Sequence, residues 1–174
     1  MKLRLSEQPL IDGEQIQHGI AKTADAVNRH YANEALCLLV VLKGAVPFSV
    51  ALMGHLTMPL TVEYIRAKSY AGTESTGEVL FTHLPEESLR GRHVLIVEDI
   101  LDTGRTAEAI VDFVQSQHPA SAKFITLLDK PSRRIQPVEA DFVTFTIEDH
   151  FVVGYGLDYN ERYRELNAIY TMET

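Results

Sequence analysis

Residues 94–106 read Val-Leu-Ile-Val-Glu-Asp-Ile-Leu-Asp-Thr-Gly-Arg-Thr. The first four are apolar and mostly β-branched, the signature of a strand buried on both faces of a parallel sheet. The strand is expected to end at Glu98-Asp99, which delivers two adjacent carboxylates to a sheet edge. A third, Asp102, follows three residues later. Thr103-Gly104-Arg105-Thr106 then leads into a helix over about 106–117, with Ile110, Phe113 and Val114 inward. That tetrapeptide offers two hydroxyls, a cation, a glycine open to close approach, and the N–H groups of a helix start. Together they make a cradle for one phosphate. Adjacent carboxylates suit a sugar diol or a hydrated Mg²⁺. Taken singly, each acid would be an ordinary solvated side chain. Gathered behind a buried strand, they point to a sugar phosphate.

The flanking sequence repeats the strand–helix rhythm. Leu36 to Leu42 is seven apolar residues in a row, a second fully buried strand broken by Lys43-Gly44. Asp12 can cap a helix over 12–31, with Ile16, Ile20, Val27 and Tyr31 on one face. Pro47 suits the start of another helix, whose buried face is expected to carry Val46, Val50, Met53 and Leu56. Further strands are expected at Thr61–Ala67, Glu78–Leu84, Phe124–Leu128, Asp141–Ile147 and Phe151–Gly156, and 69–77 reads as a loop. The alternation predicts an α/β fold: a mostly parallel, twisted sheet flanked by helices. Ligands of such sheets bind beyond the carboxyl ends of the strands. Polar residues cluster there, at Lys43-Gly44, Glu98-Asp99 and Asp129-Lys130.

Composition bounds the function. The 174 residues suit a single domain, 1–174, with no room for a grafted regulatory one. With 24 acidic and 16 basic residues the net charge is −8, which argues against nucleic acid and anionic membrane as partners. Cys37 is the lone cysteine and reads as a core residue, so neither a disulfide framework nor a cysteine zinc site is available. The seven histidines show no ligand spacing. Residues 1–9 lack the apolar core of a signal peptide, and no apolar run reaches membrane length, so the expected compartment is the cytoplasm. Walker-type and dinucleotide-binding glycine loops are both absent from the sequence.

Residues 94–106 resemble the phosphoribosyl pyrophosphate (PRPP) motif of the type I phosphoribosyltransferases. The likeness extends through Leu42-Lys43-Gly44, Ala67-Lys68-Ser69-Tyr70, Leu127-Leu128-Asp129-Lys130 and the run from Phe151 to Glu161. In order and content these segments are similar to the hypoxanthine-guanine branch. The resemblance implies a fold with a small hood built from the N- and C-terminal segments. It also implies Mg²⁺-dependent transfer of a phosphoribosyl group from PRPP to a 6-oxopurine, and a homodimer or homotetramer.

It further implies roles for the matched residues. Glu98 and Asp99 would hold the ribose hydroxyls and help order Mg²⁺. Asp102 would be the general base near purine N7. Thr103, Gly104, Arg105 and Thr106 would bind the 5′-phosphate. Lys43, Gly44 and Arg164 would meet pyrophosphate, with a non-proline cis peptide in the Lys43-Gly44 loop. Ser69 and Tyr70 would lead a lid. Lys130 would donate to purine O6, Phe151 would stack on the base, Val152 would meet it through backbone, and Asp158 would lie near its 2-position and reach a second Mg²⁺ through water. Lys130 beside Phe151-Val152 speaks against adenine, while a xanthine-preferring enzyme stays open. A PRPP-sensing nucleic-acid-binding regulator of the same fold fits the acidic charge poorly.

Overall fold

The computed structural model describes residues 4–69 and 79–173. Its elements run β1 (Arg4–Leu5), α1 (Gly13–Tyr31), β2 (Leu36–Val41), α2 (Val46–Met53), β3 (Leu60–Ser69), β4 (Val79–His83), β5 (His93–Leu101), α3 (Arg105–Ser116), β6 (Ser121–Asp129), β7 (Phe142–Thr146), β8 (Val152–Val153) and β9 (Tyr170–Glu173). Six strands form one sheet in the order β4-β3-β2-β5-β6-β7. Every pairing in it is parallel except that of β4 with β3. The terminal strands form a separate antiparallel sheet, β1-β9-β8, which is the expected hood.

β2 shows why its sequence is apolar without a break. Leu36, Leu38 and Val40 enter a core shared with Ile16, Ile20 and Val27 of α1 and Phe48 of α2. Cys37, Leu39 and Val41 enter a second core, with Ile110 and Val114 of α3. Alternate side chains of a strand face opposite ways, so a sheet covered on both faces needs apolar residues at every position. α1 begins in a reciprocal capping box: Gln15 N–H donates to Asp12 Oδ1 at 2.8 Å, and Asp12 N–H donates to Gln15 Oε1 at 2.9 Å.

Three expectations need correction. β5 does not end at Glu98-Asp99 but continues to Leu101. The ladder to β6 carries on through Glu98 with Thr126, Ile100 with Leu128 and Leu101 with Asp129, so a polar side chain does not end a strand whose neighbour extends. α2 buries Phe48, Ser49 and Leu52, while Val46 and Val50 are exposed. This helix is apolar nearly all round, which leaves periodicity nothing to choose between. The last expected strand shrinks to Val152–Val153, because Gly154 turns the chain at a φ of 99°. A smaller difference concerns Phe113: it is only partly buried and packs on Phe81 at 5.4 Å between ring centroids.

The cis peptide of the loop after β2 is Leu42–Lys43, one bond earlier than Lys43-Gly44. Ser69 ends β3, and Tyr70 lies outside the described residues. Among the described residues no helix is long and apolar enough to cross a membrane.

Candidate active site

The parallel order brings the ends of β2, β5 and β6 side by side, and the candidate residues meet there. Glu98 is buried within β5. Burial, then the charge of neighbouring Asp99, pushes its carboxyl well above the usual carboxylate range. Burial also raises Asp99, against the pull of hydrogen bonds from Glu98 and the Ile100 N–H and the charge of Arg164. The Asp99 carboxylate lies directly against Gly44. A Cβ on Gly44 would sit 1.6 Å from Asp99 Oδ2, so only glycine admits the contact. The loop after β2 and the acids of β5 therefore form one packed unit.

Beyond β5, Asp102 to Thr106 wraps onto the start of α3. Gly104 is the N-cap at a φ of 87°, a left-handed turn that favours glycine. No side chain caps this helix, so its first N–H groups remain available to an anion. Glu98, Asp99, Asp102, Thr103, Gly104 and Thr106 line a cleft of about 280 Å³. Arg105 is exposed at its edge.

The segment after β6 braces this loop, a feature the sequence reading missed. Arg134 Nε donates to the Asp102 carbonyl at 3.2 Å, and Nη1 to the Val138 carbonyl at 3.0 Å. Its Nη2 pairs with Asp129. The N–H groups of Ile135 and Gln136 both donate to the Thr103 carbonyl, at 2.9 and 3.1 Å. Arg133 Nε reaches Asp102 Oδ1 at 3.3 Å and Asp149 Oδ1 at 3.7 Å. No sequence spacing announces these contacts.

Lys130 leaves the end of β6 and is only 5% exposed. Its ammonium donates to the His150 carbonyl and lies 3.9 Å from Asp149 Oδ1. A lysine this buried, with a charged head held at a strand end, is placed to donate rather than to solvate a surface. Phe151 is half-exposed, and Tyr159 meets it edge-on at 5.7 Å and 86°. This supported ring is a platform for a flat heterocycle. Tyr159 also escaped the sequence reading. Val152 is buried in β8.

On the opposite flank, Arg164 gathers the turn after β8. Its Nη1 donates to the Gly156 carbonyl at 2.7 Å, and Nη2 lies 2.8 Å from Asp158 Oδ1 and 3.3 Å from Glu161 Oε1. Lys43 Nζ lies 2.8 Å from Glu161 Oε2. The hydrogen bond from Lys43 holds Glu161 below the usual carboxylate range. Gly156 packs on Gly44, whose carbonyl would stand 1.9 Å from an added Cβ. Shared contacts thus link the loop after β2, the end of β5, the segment after β6 and the turn after β8, while Ser69 ends β3.

Comparison with known proteins finds matches in both sequence and fold. Residues 10–160 match the family model described as phosphoribosyl transferase domain. A hypoxanthine-guanine phosphoribosyltransferase of Streptococcus pneumoniae is 39% identical over 161 residues, 92% of this chain and 89% of that protein. One from Bacillus subtilis is 41% identical over 164 residues, 94% of this chain and 91% of that protein. The crystal structure of a hypoxanthine-guanine phosphoribosyltransferase from Bacillus anthracis superposes with a TM-score of 0.92 at 35% identity, covering 99% of this chain and 100% of that one.

Proposed function

The chain belongs to the phosphoribosyl transferase family, and from that premise we propose how its strand-end cleft works on PRPP and a 6-oxopurine. It is a purine salvage enzyme that transfers the 5-phosphoribosyl group of PRPP to hypoxanthine and guanine, releasing pyrophosphate. The observation that carries the reading is the junction of β5 and α3. A buried acid pair, a third carboxylate and an uncapped helix start line one cleft there.

The N–H groups at the start of α3, with Thr103 and Thr106, take the 5′-phosphate, and Arg105 adds positive charge at the edge. Glu98 and Asp99 accept from the ribose hydroxyls. As the bond to pyrophosphate breaks, positive charge grows on the ribose, and these carboxylates are fixed where it develops. Asp102 sits where N7 of the base arrives and receives its proton; Arg133 holds this carboxylate in place. Lys130 donates to O6, Phe151 stacks on the ring and Val152 offers backbone groups beside it. Asp158 faces the 2-position. Lys43, Gly44 and Arg164 receive the leaving pyrophosphate.

Mg²⁺ fits this donor set. Two neighbouring acids have both carboxyls raised by burial, with Arg164 the cation that acts against that rise at Asp99, and hard oxygen donors of this kind suit Mg²⁺. Glu98 and Asp99 would hold one ion through water and substrate oxygens, and Asp158 would reach a second through water. When bound, Mg²⁺ neutralises the charge of the departing pyrophosphate. Exposed Val46 and Val50 on α2 supply apolar surface for a homodimer or homotetramer.

The test is a steady-state assay with PRPP and each of hypoxanthine, guanine, xanthine and adenine, with and without MgCl₂. Turnover of the first two, dependent on Mg²⁺, is expected. Preference for adenine, or full activity in a chelator, would overturn the respective part of the reading.

A further inference from the structure

Glu161 binds the two cations that the proposed mechanism reserves for pyrophosphate. Its Oε2 lies 2.8 Å from Lys43 Nζ, across 118 residues of sequence, and its Oε1 lies 3.3 Å from Arg164 Nη2. The carboxylate thus spans two donors from separate loops with its two oxygens, as one phosphoryl group of a diphosphate would.

The backbone around it is unusual. Asn160, Glu161 and Tyr163 hold φ values of 53°, 61° and 78°, in the left-handed region that side chains with a Cβ disfavour. Such conformations persist only where surrounding contacts impose them, and they gather at working sites. The Glu161 N–H donates to Asp158 Oδ2 at 2.8 Å and fixes the turn. Yet the Glu161 side chain is 63% exposed and that of Lys43 is 48% exposed. The contact is therefore one that an incoming anion can displace.

We propose that Glu161 is a place-holder for pyrophosphate. It keeps Lys43 and Arg164 converged until PRPP or pyrophosphate arrives, and then yields them. This rests on the assignment of Lys43 and Arg164 to pyrophosphate. It adds a positioning residue to that subsite and a consequence for turnover. A carboxylate that competes for the same cations weakens the hold on pyrophosphate and speeds the product's departure.

Isothermal titration with magnesium pyrophosphate at low ionic strength tests it. Glu161→Gln keeps the shape and removes the competing charge, so binding should tighten about three- to tenfold, the scale of one or two exposed ion pairs. Glu161→Ser should show the same gain. The gain should shrink at high salt and also in a Lys43→Met background, where only the Arg164 contact is left to compete. A side chain that merely supported the loop would weaken binding when replaced. Unchanged or weaker pyrophosphate binding in both Glu161 variants, with Lys43→Met alone still weakening it, overturns the place-holder and leaves the subsite standing. If Lys43→Met binds pyrophosphate as well as the wild type does, the underlying assignment is wrong.

Discussion

Replacing Gly44 by alanine is the sharpest perturbation the structure offers. The new Cβ would stand 1.6 Å from Asp99 Oδ2 and 2.6 Å from its Cγ, where ordinary contact begins near 3.4 Å. Either the carboxylate or the loop must retreat by about 1.8 Å. Misplacement of a reacting group by about 1 Å can cost about 10²-fold in rate. We therefore expect kcat/KM for PRPP to fall by about 10²-fold or more. Overpacking of this kind destabilises by about 1–3 kcal/mol. For a chain of 174 residues that is a loss of about 2–12 °C in Tm, which leaves a folded protein at assay temperature. Nucleotide formation would be followed by absorbance under varied PRPP, with Tm measured on the same preparations. A variant whose kcat/KM for PRPP stays within about threefold of wild type would refute the claim that Asp99 and the β2 loop work as one packed unit.

Other outcomes follow from single groups. Asp102→Asn should lower kcat about 10²–10⁴-fold while PRPP affinity hardly changes, the pattern of a group needed in proton transfer; near-normal kcat would remove the general-base role. Lys130→Ala should raise KM for hypoxanthine about 10–100-fold, the scale of a lost charged hydrogen bond, and leave KM for PRPP nearly unchanged; the opposite split would exclude Lys130 as the O6 donor. Glu98→Gln concerns stability. The folded protein holds the Glu98 proton more tightly than the unfolded chain does, so wild-type stability without ligand falls as pH rises above the ordinary glutamate range. The variant should therefore melt higher than wild type at pH 7 without ligand and match it below about pH 4. A lower melting temperature at pH 7 would contradict the buried setting of the acid pair beside one another.

How much of this was legible in the sequence depends on the range of the forces involved. β2 and the first half of β5 could be read because burial on both faces removes every polar residue from a strand. The cradle at Thr103–Thr106 could be read because one contiguous segment supplies all its donors. The buried face of α2 could not be, since Val46, Phe48, Val50 and Leu52 are equally apolar and only the packing against α1 and β2 decides among them. Gly44 was legible as a turn, but its contact is with Asp99, 55 residues further along the chain. The contacts of Arg133, Arg134 and Glu161 could not be read, because their partners lie 31 or more residues distant for both arginines' bonds to the Asp102 loop and 118 for the Lys43–Glu161 pair. Long-range ion pairs leave no periodic trace.

The central claim is that the junction of β5 and α3 is where a phosphoribosyl group is held. A crystal structure with bound inosine 5′-monophosphate tests it most directly. The phosphate should lie on the N–H groups that open α3, within hydrogen-bond reach of Thr103 and Thr106, with the base against Phe151 and its O6 on Lys130 Nζ. A phosphate seated elsewhere, or a base that leaves Phe151 and Lys130 untouched, would contradict it.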